Sequence, residues 1–254
     1  MTMPPVRILI TGASSGIGAA LARLYAAPGR SLLLAGRDRG RLEAVAAECR
    51  ASGAEAETAA IDVTDAAAMR GWIEAADDAR PIDLVIANAG ISAGTGGDGE
   101  SAAQARAIYA INLDGVLNTV LPALAAMARR GRGQIAIMSS LAAFRGFPGA
   151  PAYCGSKAAV RVWGEALRGE FAARGIAINV ICPGYIRTPM TAVNRFPMPF
   201  LMAVDRAARM IRRGLERNRA RIAFPLPIYA AVWLVSLLPP GLTDWIMTRL
   251  PKKG

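Results

Sequence analysis

Histidine is missing from all 254 residues. Its absence removes the Ser-His-Asp triad, an imidazole general base and the ordinary histidine-containing zinc sites together, and no metal site is expected. Only Cys49, Cys154 and Cys182 carry thiols, and no pair of them is spaced C-x-x-C. A disulfide framework is thereby excluded, and a reducing compartment is the natural setting. Lysine is as scarce, at Lys157, Lys252 and Lys253, so arginine carries most of the 30 basic charges set against 19 acidic ones. The resulting net charge of +11 attracts anions: nucleic acid, acidic lipid, or a phosphate-bearing cofactor or substrate. Aromatic residues make up only 6% of the chain and no nucleic-acid motif accompanies the charge, so nucleic-acid binding is the weaker reading. Met1 to Pro5 leads straight into a strand-like run containing Arg7, which is no secretory signal, and a cytoplasmic protein is expected.

What is present is an alternation. Val6 to Thr11, Ser31 to Ala35, Leu84 to Ala87, Gln134 to Ser139 and Ala177 to Ile181 are short apolar runs suited to buried parallel strands, with one more expected to end at Ile61-Asp62-Val63. Between them, residues such as Leu42, Val45, Ala46 and Cys49 recur at helical spacing. Strand and helix in alternation predict an α/β fold, a doubly wound parallel sheet with helices on both faces. No repeat or linker divides it, so residues 1–254 are expected to form a single domain.

Two stretches carry chemistry. The first strand ends in Gly12-Ala13-Ser14-Ser15-Gly16-Ile17-Gly18 and a helix follows, an arrangement in which backbone amides and a helix N-terminus receive a pyrophosphate. The glycines from Gly94 to Gly99 have no Lys-Ser/Thr after them and are expected as a surface loop. The second stretch is Tyr153-Cys154-Gly155-Ser156-Lys157, with Ser140 thirteen residues before the tyrosine. A phenol and an ammonium four residues apart share one helix face, and the cation is expected to draw the phenol's pKa of about 10 downward. Tyr153 is then the best general acid/base available to a chain without histidine.

Together these pieces resemble the short-chain dehydrogenase/reductase family from about Arg7 to Met190. The resemblance rests on Thr11-Gly12-x-x-x-Gly16-Ile17-Gly18, Asn88-Ala89-Gly90, Asn112, Ser140, Tyr153 with Lys157, and Pro183-Gly184 with Thr188. It implies the single-domain Rossmann fold and hydride transfer between a nicotinamide cofactor and a carbonyl or alcohol. By that resemblance Tyr153 exchanges a proton with the reacting oxygen, Ser140 hydrogen-bonds that oxygen, Lys157 holds the nicotinamide ribose, and Asn112 holds a water of a proton relay. Asp62 and Val63 would contact adenine, and Ile186 and Thr188 the carboxamide. A homodimer or homotetramer is the family's habit. The 3-oxoacyl-thioester reductases are the alternative within enzymes; a non-catalytic cofactor-binding or membrane-peripheral protein on the same fold is the alternative outside them.

Where an acidic residue after the second strand would hold a ribose 2′-hydroxyl, this chain has Gly36 followed by Arg37, with Asp38 next. An arginine there suits a 2′-phosphate, so NADP(H) is favoured over NAD(H). Residues 190–220 correspond to the substrate lid of the resemblance, and Met190, Phe196, Met198 and Phe200 make it apolar; Phe144, Phe147 and Pro148 are candidates for the facing wall. A small, lipophilic carbonyl or alcohol substrate is expected.

Residues 225–254 depart from the pattern. The run Ile228 to Leu238 is too short to span a bilayer, which needs about 20 apolar residues. It either packs on protein, in a subunit interface or over the cleft, or lies on a membrane surface with Trp233, Trp245, Arg249, Lys252 and Lys253 as anchors.

Overall fold

The structure is a computed structural model and describes residues 5–92, 99–194 and 196–249. The first half runs β1 (Arg7–Thr11), α1 (Gly16–Tyr25), β2 (Ser31–Ala35), α2 (Arg39–Ala51), β3 (Glu55–Ala59), α3 (Ala66–Ala79) and β4 (Leu84–Ala87). The second half adds α4 (Ala102–Tyr109), a π-helical turn (Ala110–Asp114), α5 (Gly115–Arg130), β5 (Gly133–Met138), α6 (Pro151–Phe171) and β6 (Ile176–Pro183). It closes with α7 (Pro189–Ala192), α8 (Val204–Glu216), β7 (Arg221–Phe224), α9 (Leu226–Ser236) and α10 (Pro240–Met247).

The strands form one parallel sheet ordered β3-β2-β1-β4-β5-β6-β7. Chain direction reverses its winding between β1 and β4, and a crevice opens there at the carboxyl ends of the strands. Strand alternation feeds two cores. Ile8, Ile10, Leu32 and Leu34 point into one, covered by α1, α2 and α8; Leu9, Leu33, Val85 and Ile137 point into the other, covered by α3, α5 and α6. The continuous helical run 102–130 is long and apolar enough to cross a membrane, but half of its most apolar window lies inside the second core.

The third strand is not where the apolar run suggested. It is Glu55–Ala59, paired in register with Ser31–Ala35, and Ile61-Asp62-Val63 follows it as a loop over the crevice. As an edge strand it exposes Glu55 and Glu57, so it lacks the apolar signature of its buried neighbours. Gly94, Gly96 and Gly97 of the expected surface loop lie outside the described residues. Within residues 190–220, α8 buries Ala207, Ala208, Ile211 and Leu215 in the first core beside α1. The stretch before it is tied down by a bridge from Ile186 to Met202.

Candidate active site

The crevice encloses about 640 Å³ and gathers most residues named from the sequence. Gly12, Ser14, Ser15, Gly16 and Ile17 line one end, with Arg37, Asp62 and Val63. Asn88, Ala89 and Gly90 line its middle; Ser140, Tyr153, Lys157, Pro183, Gly184, Ile186 and Thr188 line the other end. Gly18 and Asn112 do not reach the surface of the crevice; both stand behind it.

The glycine loop is built by close approach. Gly12 has φ +66°, and a Cβ there would sit 2.9 Å from Ala89 Cα. A Cβ on Gly18 would lie 2.3 Å from the Gly12 carbonyl oxygen, so the first turn of α1 packs directly under the loop. Thr11 Oγ1 accepts the Asn88 and Ala89 amides at 3.1 and 3.2 Å, and Asn88 Nδ2 donates to the Thr11 carbonyl at 3.0 Å, locking β4 to the loop. The α1 N-terminus has no side-chain cap and no acid in its first turn. Free amides and a positive dipole end at the wall of a crevice suit a pyrophosphate, and the set of residues fits a dinucleotide.

At the Arg37 end of the crevice stands a residue not anticipated from the sequence. Arg41 lines the crevice together with Arg37 and Gly36. Asp38 caps α2 by accepting the Arg41 amide at 2.9 Å, and it pairs with the Arg41 guanidinium at 2.6 Å. Those hydrogen bonds hold the Asp38 carboxyl below the usual carboxylate range and offset its charge. Asp38, which also lines the crevice, is thus engaged by Arg41, and Arg37 and Arg41 stand with it at this edge. The signal for Arg41 was present: an Asp at an N-cap with Arg three residues on folds back on itself.

At the other end Tyr153 and Lys157 share a face of α6, with the ammonium 5.9 Å from the phenol ring centroid. Lys157 is buried and donates to the Met138 carbonyl at 3.0 Å. Burial pushes its pKa down to about 8, and burial also raises the Tyr153 phenol, a rise opposed by a hydrogen bond from Ser140. The phenol thus stands above its ordinary value, opposite to the expectation drawn from the Tyr153/Lys157 spacing: burial dominates, and Ser140 rather than Lys157 is what opposes it. Ser139 donates to the Lys157 carbonyl at 2.8 Å and belongs to the α6 scaffold, whereas Ser140 faces Tyr153.

Asn112 sits in the π-turn, fully buried. Its Oδ1 accepts the Ile91 amide at 2.8 Å, and its Nδ2 donates to the Ile91 carbonyl at 2.9 Å and to Ser156 Oγ at 3.1 Å. It ties the segment following β4 to α6. A Cβ on Gly90 would lie 3.1 Å from Asn112 Oδ1 and 3.3 Å from Lys157 Nζ, so Gly90 permits this juncture.

Phe144 is not a wall of the crevice. Its ring is flanked by the Arg161 and Arg221 guanidiniums at 4.7 and 5.2 Å and meets Tyr229 edge-on. Phe147 and Pro148 line a separate hollow of about 490 Å³ against α10. All three cysteines are buried and unpaired with one another. Among the described residues no group of His, Cys, Asp and Glu could hold a metal ion.

A family model described as short chain dehydrogenase matches residues 7–197, about three-quarters of the chain. The chain belongs to the short chain dehydrogenase family. It is a nicotinamide-dependent oxidoreductase of that family. This short chain dehydrogenase is 37% identical over 243 residues to an uncharacterized oxidoreductase of Myxococcus xanthus, covering 95% of this chain and 96% of the relative. It is 40% identical over 245 residues to an uncharacterized oxidoreductase of Mycobacterium tuberculosis, covering 93% and 95%. Among solved structures it superposes on a short-chain dehydrogenase from Sphingobium yanoikuyae in complex with NADPH, with TM-score 0.81, 28% identity and 96% of each chain covered.

Proposed function

We propose that this dehydrogenase uses NADP(H) to interconvert an apolar carbonyl compound and its alcohol, with Tyr153 as general acid/base. One observation carries the reading: a single crevice has a phosphate-accepting glycine loop and two arginines at one end, and Ser140, Tyr153 and Lys157 at the other.

When bound, the dinucleotide supplies or accepts the hydride. Arg37 and Arg41 hold the 2′-phosphate, Asp62 and Val63 flank adenine, and the α1 amides with Ser14 and Ser15 take the pyrophosphate. That the Sphingobium yanoikuyae neighbour is in complex with NADPH supports the choice. NAD(H) remains the weaker partner, since nothing at Gly36 binds a 2′-hydroxyl as an acid would. Ile186 and Thr188 face the nicotinamide.

In reduction Tyr153 gives its phenolic proton to the substrate oxygen, and in oxidation it takes that proton back. Ser140 hydrogen-bonds the same oxygen and stabilises the charge developing there. Lys157 holds the ribose hydroxyls and stabilises the transient phenolate while it is protonated. Asn112 positions Gly90 and Ile91 beside Lys157 and anchors the water through which the proton leaves.

Apolar side chains accompany the polar ones: Pro189 and Met190 line the crevice, and the rings of Tyr185 and Phe196 meet edge-on at 6.0 Å. We take the part of residues 190–220 that precedes α8 as the lid, and a lipophilic ketone, aldehyde or alcohol as the substrate. The exposed Leu121 on α5 and Val162 on α6 suit contacts in a homodimer or homotetramer.

A fluorescence titration with NADPH and, separately, NADH tests the reading. NADPH should bind roughly tenfold tighter or more, the effect of one or two charge-assisted hydrogen bonds. NADPH-driven reduction of lipophilic ketones and aldehydes should follow. Failure to bind either dinucleotide overturns it.

A further inference from the structure

The last two helices present their apolar side outward. Residues 226–243 contain no charged side chain. One face of α9 packs inward, where Ile228, Tyr229 and Val232 lie on Leu141, Val180 and Cys182. The opposite face is a helical stripe of Leu226, Ala230, Trp233, Leu234 and Leu237, and it is open: Leu226 is 69% exposed, Leu234 57% and Leu237 62%. On α10, Leu242 and Trp245 are exposed as well. An ordinary surface helix puts polar residues there. An exposed apolar stripe of this kind marks an interaction surface.

Its charge says what covers it. From position 225 on the chain has three basic residues and a single acid, Asp244. That acid is paired with Arg145 at 2.7 Å. Arg249 stacks on Trp245 at 5.1 Å, and the sequence continues to Lys252 and Lys253. A second copy related by a two-fold axis would bring the same cations against these. An anionic bilayer complements them, and tryptophan with flanking arginine or lysine is the combination favoured at a membrane–water interface.

We infer that α9 and α10 form a docking surface for an anionic lipid bilayer, the leucines and Trp233 entering the headgroup–acyl boundary and Arg249 beside Trp245 lying against the phosphates. The helices are not loosely attached to the body. Tyr229 meets Phe144 with ring centroids 5.4 Å apart, Arg221 donates to Tyr229 Oη at 3.0 Å, and Arg145 holds Thr243 and Asp244. Phe144 and Arg145 lie just beyond Ser140, so docking sets the substrate end of the crevice close to the lipid. That consequence rests on the proposed lipophilic substrate; the docking itself does not.

The test is co-sedimentation of the full chain with extruded vesicles of phosphatidylcholine alone and of phosphatidylcholine mixed with phosphatidylglycerol. Binding to the anionic vesicles should be at least about tenfold tighter and should weaken as salt is raised. The double variant Leu234→Ser/Leu237→Ser should lose roughly tenfold or more in vesicle affinity. Unchanged NADPH binding by that variant certifies its fold and separates this outcome from failure of the enzymatic reading. Absence of pelleting with anionic vesicles, or equal pelleting of the double variant, overturns the inference. So does a dimer in analytical ultracentrifugation that the double variant loses and vesicles do not displace, which would assign the patch to a second copy.

Discussion

The ammonium of Lys157 lies 5.9 Å from the centroid of the Tyr153 ring and donates to the Met138 carbonyl at 3.0 Å. Four residues of helix put the two on one face, and the sheet buries the lysine beneath it. A charge carried in so dry a place is costly, so the same lysine that serves the site weakens the fold.

Lys157→Met should therefore stabilise the protein while abolishing turnover. A pKa lowered from 10.5 to about 8 corresponds to roughly 3 kcal/mol at neutral pH, of which packing defects will offset some. The folded state binds fewer protons than the unfolded one between the two pKa values. The Lys157 penalty is thus fully present below pH 8 and is relieved as pH rises toward 10.5. Denaturation curves of both proteins from pH 7 to 10 check this: the stability of the parent relative to the variant should rise across that range.

Arg41→Ala and Arg37→Ala should each weaken NADPH binding by roughly tenfold and leave NADH binding nearly unchanged, because each removes a partner of the 2′-phosphate alone. Arg41→Ala also leaves Asp38 without its ion pair, so its residual preference should shift further toward NADH. Paired titrations with both dinucleotides distinguish the two arginines.

Gly18→Ala places a methyl 2.3 Å from the Gly12 carbonyl oxygen and 2.6 Å from Asn88 Nδ2. Both are held by the β1–β4 hydrogen bonds, so the loop must move. We expect a loss of about 1–3 kcal/mol in stability, the usual range for overpacking, together with weaker binding of both dinucleotides. Urea unfolding with the two titrations measures it.

Ser140→Ala should lower kcat by roughly a hundredfold with little change in NADPH affinity, as removal of one preorganised donor to a developing oxyanion does. The Tyr153 pKa should rise further, since the Ser140 hydrogen bond opposes the effect of burial. In the oxidative direction the pH–rate profile should move to higher pH.

What could be read in the sequence was what is local or repeated. The strands of the sheet centre are buried on both faces, so β1, β2 and β4 are written as apolar runs; the edge strand β3 is half exposed and its glutamates hide it. Tyr153 and Lys157 were legible as a helical pair, but the protonation balance between them was not. It depends on how deeply the sheet and α6 bury them, which no spacing encodes. Phe144 illustrates the same limit. Its neighbours Arg161, Arg221 and Tyr229 come from three later elements, and only folding shows that it anchors the tail rather than lining the crevice. In α9 the composition is apolar all round, so nothing in its pattern separated the packed side from the open one.

The proposed role of Tyr153 as the proton-transferring group of an NADP(H)-dependent oxidoreductase is put to the test by Tyr153→Phe. Single-turnover reduction of an accepted ketone, with NADPH oxidation followed by absorbance, should fall by about a thousandfold or more, while the fluorescence-titrated NADPH affinity stays within about twofold. A variant that binds NADPH and still turns over at a rate near that of the parent would remove Tyr153 from the proton-transfer role.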